Sequence, residues 1–333
     1  MSSAAAASAA VRVVRSTART ATATAKLQHN ATEIVDNLLE YTSELISPNG
    51  PNLIAYSGGV DSSLAAALVH HVTTTITTTN ITDNDDHNKT TTTTTCSSKA
   101  VLGISPAVPR HQIELARSVA QHIGIEMIEV NTNESADPVY VANEGQACFA
   151  CKTALYSALN AVVHYANSNN DAVHVVLFNG TNMDDRRDET RVGLIAADNF
   201  NVASPLRYTT KEEVRLAAKH LNLPNWNHAA SPCLRSRLAF GVQATRDHLN
   251  QIEAAEAWVR RALRMEDDVT KNMRVRLLAG KRAVVELDAE NVEDCTAQLM
   301  EAGVVAQFSR MGFSGGLAQV RAFKSGSIAA VSK

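Results

Sequence analysis

The spacing of apolar residues predicts alternating strands and helices over the first two thirds of the chain. Short apolar runs of strand length alternate with longer segments in which apolar residues recur every three or four positions. The predicted strands are residues 52–56, 100–104, 125–130 and 173–178, and the predicted helices are residues 32–46, 61–70, 110–122 and 152–165. This alternation is typical of parallel sheets covered by helices, so we predict an α/β fold with a doubly wound parallel sheet. Ligands of such sheets bind beyond the carboxyl ends of the strands, here the loops after Tyr56, Ile104 and Phe178.

The pattern changes after residue 240. A long helical segment over residues 245–263 is followed by paired strands at 273–278 and 283–287, a helix at 292–302 and further strands up to Phe323. This order predicts a second, smaller α+β domain. We therefore place the main domain at residues 31–240 and the smaller one at residues 241–333.

Residues 72–98 are rich in threonine with scattered Asn and Asp. Such a segment has too few large apolar side chains to offset the entropy lost on ordering, so we predict a disordered insertion in the main domain. Cys96 lies inside it, which argues against a structural role for that thiol.

The first thirty residues contain no acidic side chain and are rich in Ala, Ser, Thr and Arg. This composition is typical of an organelle transit peptide, which would direct the chain to a mitochondrion or a plastid. The alternative is a disordered tail without an address, in which case we expect a cytoplasmic protein.

Charge and cysteine content narrow the function classes. The chain has 31 basic and 34 acidic residues, a net charge of −3, so it has no overall field that would favour nucleic acid or an anionic membrane as a partner. No apolar run reaches the roughly 20 residues that cross a bilayer. Five cysteines in 333 residues do not indicate a disulfide framework, and the pair Cys148 and Cys151 favours a metal or redox site.

The stretch from Leu53 to His70 combines an apolar strand, a glycine turn and a helix start. Backbone amides at the turn and the dipole of the helix form a site for phosphate. Gly58 and Gly59 let the backbone approach the ligand closely, and nearby serines supply hydroxyl groups. No lysine follows in the Walker pattern, so this is not an ordinary NTPase loop.

The string Ser57-Gly58-Gly59-Val60-Asp61-Ser62 resembles the PP-loop of the ATP pyrophosphatases, which transfer AMP to a substrate oxygen and release pyrophosphate. The resemblance implies an adenine nucleotide alpha hydrolase-type sheet, ATP as a substrate, and Mg²⁺ bound near Asp61. Residues that follow the neighbouring strands would face the same edge. The predicted ATP and pyrophosphate ligands are Ser57, Gly58, Gly59, Asp61, Ser62, Ser63, Ser105, Gly180, Asn182 and Asp185.

Further motifs between about residues 33 and 327 resemble the LarE-type sulfur transferases. They are Cys148-Phe149-Ala150-Cys151-Lys152, Gly180-Thr181-Asn182-Met183-Asp184-Asp185, Leu223-Pro224-Asn225-Trp226, Ser231-Pro232-Cys233-Leu234-Arg235-Ser236-Arg237, Arg274-Val275-Arg276 and Phe323-Lys324-Ser325-Gly326. The resemblance implies that a carboxylate of a pyridinium mononucleotide, a precursor of a nickel-pincer cofactor, is adenylated and then converted to a thiocarboxylate. It also implies a homo-oligomer. The sulfur comes either from the enzyme's own cysteine or from a [4Fe-4S] cluster held by three cysteines.

Within this resemblance, Cys233 is the candidate for the sulfur-bearing residue and Arg237 a candidate catalytic residue. A thiolate is a better nucleophile than a hydroxyl, and AMP is the leaving group. Arg274 and Arg276 are candidates for binding the substrate phosphate. Cys148, Cys151 and Cys233 together favour the cluster, because three thiolates leave one iron open.

Three other functions remain open. A PP-loop tRNA thiolase would use similar chemistry, but it predicts a basic tract that is not present. Amide-forming relatives, such as NAD or asparagine synthetases, use ammonia and do not need the three cysteines. A non-catalytic nucleotide sensor would bind ATP without releasing pyrophosphate.

Overall fold

The larger sheet is parallel and confirms the predicted α/β fold. The computed structural model describes residues 30–82, 96–166, 174–188 and 190–324. In these residues the sheet has four strands in the order β3-β2-β1-β4, and β1 pairs with both β2 and β4. The strands are β1 (Pro51–Tyr56), β2 (Ser97–Ile104), β3 (Glu126–Asn131) and β4 (Val176–Phe178). The chain runs outward from β1 to β3 and then returns to the other side of β1, so the topological switch point lies between β1 and β4.

Helices cover both faces of this sheet. Along β1 the side chains alternate, because successive residues of a strand point to opposite faces. Ile54 and Tyr56 pack with α2 and α3, whereas Leu53 and Ala55 pack with α5 and α7. The helices of this region are α1 (residues 30–45), α2 (Val60–Thr82), α3 (Arg110–Ile123), α4 (Pro138–Ala142), α5 (Ala147–Ala166), α6 (Met183–Arg187), α7 (Gly193–Asn199) and α8 (Lys211–His220).

A second, smaller sheet follows, as predicted. Its described strands are β5 (Met273–Leu278), β6 (Arg282–Leu287) and β7 (Leu317–Ala322). β5 and β6 are antiparallel, while β7 runs parallel to β6. The helices are α9 (Arg246–Ala262), α10 (Val292–Glu301) and α11 (Val304–Arg310). The apolar pattern did not predict α11, and in the described residues a single strand, β7, occupies the region where we expected several.

The apolar core beside the small sheet extends into the N-terminal part of the chain. Val275 of β5 and Ile252 of α9 share one cluster with Tyr140 of α4 and with Ala147 and Ala150 of α5. The first turn of α5 thus lies where the two sheets meet. The division into domains at residue 240 stays a prediction.

The predicted disordered segment at residues 72–98 is too long at both ends, because α2 continues to Thr82 and β2 begins at Ser97. The hydroxyls of Thr73, Thr74, Thr77 and Thr78 each donate to the carbonyl four residues earlier. Threonine can therefore satisfy its polar group on the preceding helical turn, which lets an apolar-poor run remain helical.

Cys96, at the other end of this segment, is 7% exposed in the core, and its Sγ lies 3.4 Å from the carbonyl oxygen of Ser47. The expectation that it has no structural role is wrong.

Four predictions lie wholly or partly outside the described residues. They are the central part of the threonine tract (residues 83–95), the transit peptide (residues 1–29), the first residue of the predicted strand 173–178, and residues 325 and 326 of the last LarE-type motif. Within the described residues no helix is long and apolar enough to cross a membrane.

Candidate functional site

The glycine loop lies between β1 and α2, at the carboxyl edge of the parallel sheet. Gly58 has φ +70°, and a Cβ atom there would lie 2.6 Å from the Cα of Ala116 in α3. Only glycine permits this close approach. Asn225, which is fully buried, donates from Nδ2 to the carbonyl of Gly58 at 2.8 Å and to the hydroxyl of Ser63 at 3.0 Å.

Neutral hydrogen bonds hold the loop in shape. The hydroxyls of Ser57 and Ser62 lie 3.0 Å apart, and the Ser62 hydroxyl donates to the carbonyl of Gly59. Gln112 of α3 donates to the carbonyl of Ser57 at 2.8 Å. Ser57 is exposed, which fits its predicted contact with phosphate. Ser63 is fully buried and bonded to Asn225, so it supports the loop from behind and does not face a ligand.

The loop after β4 packs directly on the start of α2. A Cβ atom on Gly180 would lie 2.6 Å from the carbonyl carbon of Asp61 and from the amide nitrogen of Ser62, so the two backbones are in contact. Asn182 donates from Nδ2 to Oδ1 of Asp61 at 2.9 Å, and its own Oδ1 accepts from the amide of Asp185. The predicted residues of both loops thus come together at the switch point.

Two carboxylates and two cations share this edge. Arg191 pairs with Asp185, with Nη2 2.9 Å from Oδ1, and Lys211 of α8 pairs with Asp61. Burial raises the pKa of Asp185; Arg191 opposes this shift, and Asp61 adds to it. Carboxylate oxygens are suitable ligands for Mg²⁺, which fits the predicted role of Asp61. Lys211 and Arg191 were not predicted from the sequence.

The loop after β2 connects this edge to Cys233. Ser105 accepts from the amide of Ala107 at 3.2 Å, and the carbonyl of Ala107 accepts from the amide of Leu234 at 2.8 Å. Leu234 begins a 3₁₀ turn that ends at Arg237, and Cys233 is its N-cap. We call the loops after β1, β2 and β4 the nucleotide edge.

The three predicted cysteines lie in one neighbourhood beside that edge, because Cys151 and Cys233 pack against the same apolar cluster and Arg235 contacts Cys148. Cys148 and Cys151 lie in the first turn of α5, and Cys233 is close to both. Burial raises the pKa of Cys148, which Arg235 lowers in part. Burial and the charge of Cys233 raise the pKa of Cys151 to about 12. As the side chains stand, no group of three or more His, Cys, Asp or Glu residues in the described part of the chain is arranged to hold a metal ion.

Tyr140 and Arg235 lie beside the three cysteines. We call these five residues the thiol pocket. Arg235 donates to Oδ1 of Asn143 at 2.9 Å and to Sγ of Cys148 at 2.7 Å. The Tyr140 hydroxyl is buried and has no hydrogen-bond partner. Burial, and then the charges of Cys233 and Cys151, raise its pKa, so it remains a donor near the thiols. Nothing in the sequence pointed to Tyr140.

Arg237 faces the protein interior. It is 3% exposed, its Nε lies 2.9 Å from Oε1 of Glu256 in α9, and it also donates to the carbonyl of Cys233 at 3.3 Å. The predicted catalytic arginine is therefore occupied in holding the turn that carries Cys233.

The predicted phosphate-binding arginines differ in their surroundings. Arg276 is 4% exposed and lies 2.7 Å from a carboxylate oxygen of Glu286, so its charge is engaged within the small sheet. Arg274, on the same face of β5, is partly exposed and stacks on Phe323 with 4.1 Å between the guanidinium carbon and the ring centroid. Burial, then Arg237 and Arg276, lower the pKa of Arg274 to about 10, so it stays charged at neutral pH. Arg274 thus fits the prediction better than Arg276.

Arg191 connects the nucleotide edge to the thiol pocket. It pairs with Asp185 at the edge, and its charge lowers the pKa of Cys148, although burial outweighs that effect. The following helix begins at Gly193, where a Cβ atom would lie 3.2 Å from Cγ of Lys152 and 3.8 Å from Cβ of Cys148. The two groups of candidate residues are therefore neighbours.

Comparison with known proteins agrees with this arrangement. Residues 52–140 match the family described as the tRNA methyl transferase HUP domain. The chain is 30% identical over 281 residues to the protein slr1717 of Synechocystis. The aligned residues make up 84% of this chain and 90% of that protein. It is also 29% identical over 163 residues to the pyridinium-3,5-bisthiocarboxylic acid mononucleotide synthase of Lactiplantibacillus plantarum, over 48% of this chain and 56% of that enzyme.

Proposed function

This chain belongs to the PP-loop ATP pyrophosphatases of the LarE type and is an ATP-using enzyme, and from that premise we propose that it transfers sulfur to an adenylated carboxylate. The proposed substrate is a pyridinium mononucleotide, and the product is a thiocarboxylate. The similarity to the synthase from Lactiplantibacillus plantarum supports this substrate class.

One observation carries the proposal. The amide of Leu234, next to Cys233, donates to the carbonyl of Ala107 in the loop that follows β2. A thiol therefore lies next to the edge at which a PP-loop enzyme forms its adenylate. Amide-forming relatives need no thiol at that place.

The first step is adenylation. A carboxylate oxygen of the substrate attacks the α-phosphorus of ATP, the bond between the α-phosphorus and the bridging oxygen breaks, and pyrophosphate leaves. The amides of the glycine loop and the dipole of α2 stabilise the charge on the pyrophosphate. Asp61 and Asp185 are the residues of this edge that fit Mg²⁺, which supplies neutralisation of the leaving group when bound.

The second step is transfer of sulfur. A sulfur nucleophile attacks the acyl carbon, and AMP leaves with the electron pair of the carbon–oxygen bond. If Cys233 itself attacks, it forms a thioester. Removal of its α-proton then breaks the bond between Cβ and sulfur, which leaves a thiocarboxylate and dehydroalanine. Arg274 is suited to hold the substrate phosphate.

The donor types of the three cysteines suit a [4Fe-4S] cluster, although their side chains as they stand are not arranged around a metal ion. Cys148, Cys151 and Cys233 supply three thiolates, and the buried Tyr140 hydroxyl is a donor with no partner of its own. Such a cluster supplies an open iron that can carry an extra sulfide. Arg235 offsets negative charge on Cys148 through its hydrogen bond to Sγ.

The test is anaerobic purification of the full-length chain, with iron and acid-labile sulfide quantified beside a Cys233→Ala variant. Exchange of labelled pyrophosphate into ATP is measured with the pyridinium mononucleotide present. We expect exchange in both proteins and thiocarboxylate in the wild type alone. About four irons per chain indicate the cluster version. No iron, with a mass loss at Cys233 after turnover, indicates the sacrificial version. Thiocarboxylate formation by Cys233→Ala would contradict the proposal.

The family match at residues 52–140 leaves one alternative function open, that of a tRNA thiolase. That reading predicts binding to tRNA, which the net charge of −3 does not favour. Sulfur transfer to tRNA in place of the mononucleotide, measured in the same assay, would establish it.

A further inference from the structure

The PP-loop lacks the lysine that ordinary NTPase loops place on the β- and γ-phosphates. The fold brings a lysine to the same place from a distant part of the chain. Nζ of Lys211, the first residue of α8, pairs with Oδ2 of Asp61 in the first turn of α2. The side chains of Lys211 and Asp61 are 40% and 24% exposed, so the pair lies open at the nucleotide edge.

The backbone of Lys211 is fixed by its surroundings. Thr210 caps α8 in a capping box with Glu213, and the amide of Lys211 donates to Oδ2 of Asp184 at 2.8 Å. Two residues before Lys211, the carbonyl of Thr209 accepts from the amide of Met183 at 2.9 Å. The start of α8 is thus fastened to α6, and the side chain of Lys211 is left to change partners without movement of the main chain.

Asp61 has a second partner that remains when Lys211 leaves. Asn182 donates to Oδ1 of Asp61, whereas Lys211 contacts Oδ2. A cation that binds the nucleotide phosphates can therefore replace Lys211 on Oδ2 while Asn182 keeps the carboxylate in position. The charge of the edge stays balanced, because the ammonium group then faces phosphate oxygen.

We propose that Lys211 is the phosphate-binding lysine of this site: it pairs with Asp61 when the site is empty and turns to the pyrophosphate part of ATP when nucleotide binds. The inference rests on the proposed use of ATP, but it does not depend on sulfur transfer. The proposal identifies Lys211 as the source of positive charge for the phosphates, because the glycine loop contains no lysine or arginine.

Calorimetric titration of the full-length chain with ATP, pyrophosphate and AMP tests this role. A hydrogen bond to a charged group contributes about 1.5–3 kcal/mol, so Lys211→Met should weaken binding of ATP and pyrophosphate by about 10- to 100-fold. Binding of AMP should change less than about threefold, because AMP lacks the β- and γ-phosphates. Lys211→Arg should keep most of the affinity for pyrophosphate. The matched control is Lys219→Met on the same helix, whose Nζ lies over Trp226, 4.7 Å from the ring centroid.

Asp61→Asn separates a binding role from a structural one. In buffer without metal ions, this variant frees Lys211 from its partner, so pyrophosphate should bind more tightly than to the wild type. If Lys211 only stabilised the fold, Lys211→Met would weaken all three ligands equally and Asp61→Asn would not strengthen any of them; either result overturns the proposal. Lys211→Gln replaces Lys211→Met if circular dichroism shows that the latter is unfolded.

The outcomes also separate this inference from the proposed function. A chain that shows the expected selectivity for pyrophosphate but forms no thiocarboxylate contradicts sulfur transfer alone. A chain that transfers sulfur but keeps its pyrophosphate affinity in Lys211→Met contradicts the lysine assignment alone.

Discussion

Two loops of the candidate site are held by different kinds of interaction. The glycine loop at residues 57–59 is held by neutral groups, the amides of Asn225 and Gln112 and the hydroxyl of Ser62. The turn that carries Cys233 is held by charged groups, chiefly Arg237 with Glu256. Neutral support leaves the positive potential of the loop amides and of α2 available for phosphate. The ion pair of Arg237 and Glu256 fixes the short 3₁₀ turn after Cys233, which has few backbone hydrogen bonds of its own.

The difference has an energetic consequence. A buried ion pair adds little net stability because both charges lose water, but removal of one partner leaves the other charge unpaired. The Cys233 turn should therefore be far more sensitive to single charge changes than the glycine loop. Four predictions test this comparison, in order of decreasing expected effect.

Glu256→Ala should have the largest effect. It leaves the guanidinium of Arg237 buried without its carboxylate, and it removes the acceptor of the Val275 amide in β5. We expect a loss of about 3–5 kcal/mol in the free energy of unfolding, measured by urea titration. The control is Glu253→Ala on the same helix, whose partner Arg110 is largely exposed, and it should cost about 1 kcal/mol or less.

A double substitution sharpens this prediction. Arg237→Met with Glu256→Leu removes both charges and should cost less than Glu256→Ala alone, because no charge stays buried without a partner. A double variant that is less stable than Glu256→Ala would show that the pair contributes more than mutual neutralisation.

Gly58→Ala should have the next largest effect and tests the neutral loop. A Cβ atom there meets the backbone of α3, and φ of +70° is itself unfavourable for alanine. Backbone strain of roughly 1–2 kcal/mol and a clash of about 1–3 kcal/mol should add, together with loss of ATP binding. Gly241 has φ +73° and no atom within 4 Å, so Gly241→Ala measures the strain alone. Equal losses in the two variants would contradict the close approach of α3.

Asn225→Ala should cost about 1–3 kcal/mol, because the carbonyl of Gly58 loses its donor inside the protein. The same variant should raise the KM for ATP while leaving the reactivity of Cys233 towards iodoacetamide unchanged, since the two loops have independent support. A change in that reactivity would show that the supports are coupled.

Arg235→Met should have the smallest effect, confined to the thiol pocket. The Arg235 cation lowers the pKa of Cys148, so its removal raises that pKa further. Less thiolate is then present at pH 8, and alkylation of Cys148, followed by mass spectrometry against pH, should slow several-fold. Faster alkylation would contradict the contact between Arg235 and Sγ.

The sequence predicted the elements whose signals are local. The strand, the glycine turn and the helix that form the PP-loop are contiguous, so periodicity and turn chemistry suffice to place them. Asp61 and Asn182 were predicted at one edge because parallel strands end on the same side of a sheet. The CxxC spacing placed Cys148 and Cys151 near each other, but the predicted helix began only at residue 152, whereas α5 begins at Ala147 and includes both cysteines.

The remaining site residues depend on contacts between distant parts of the chain. Lys211 and Asn225 reach the PP-loop from beyond β4. Lys211 lies in none of the sequence motifs, and Asn225 was noted only within the motif Leu223-Pro224-Asn225-Trp226, without a role at the loop. The alternation of β5 put Arg274 and Arg276 on one face, but only the pairing with β6 shows that Glu286 engages Arg276. The start of the predicted disordered segment was placed too early, because composition does not show that a threonine hydroxyl bonds to its own helix.

The hydrogen bond between Leu234 and Ala107 also bears on the timing of the reaction. A hydrogen bond of 2.8 Å between a backbone amide and a carbonyl tolerates little lengthening, so the loop after β2 and the turn with Cys233 must shift together or lose this bond. Any displacement of the loop after β2 therefore reaches the turn that carries Cys233 through this hydrogen bond. In the proposed mechanism, the thiol then keeps its position relative to the edge at which the adenylate forms.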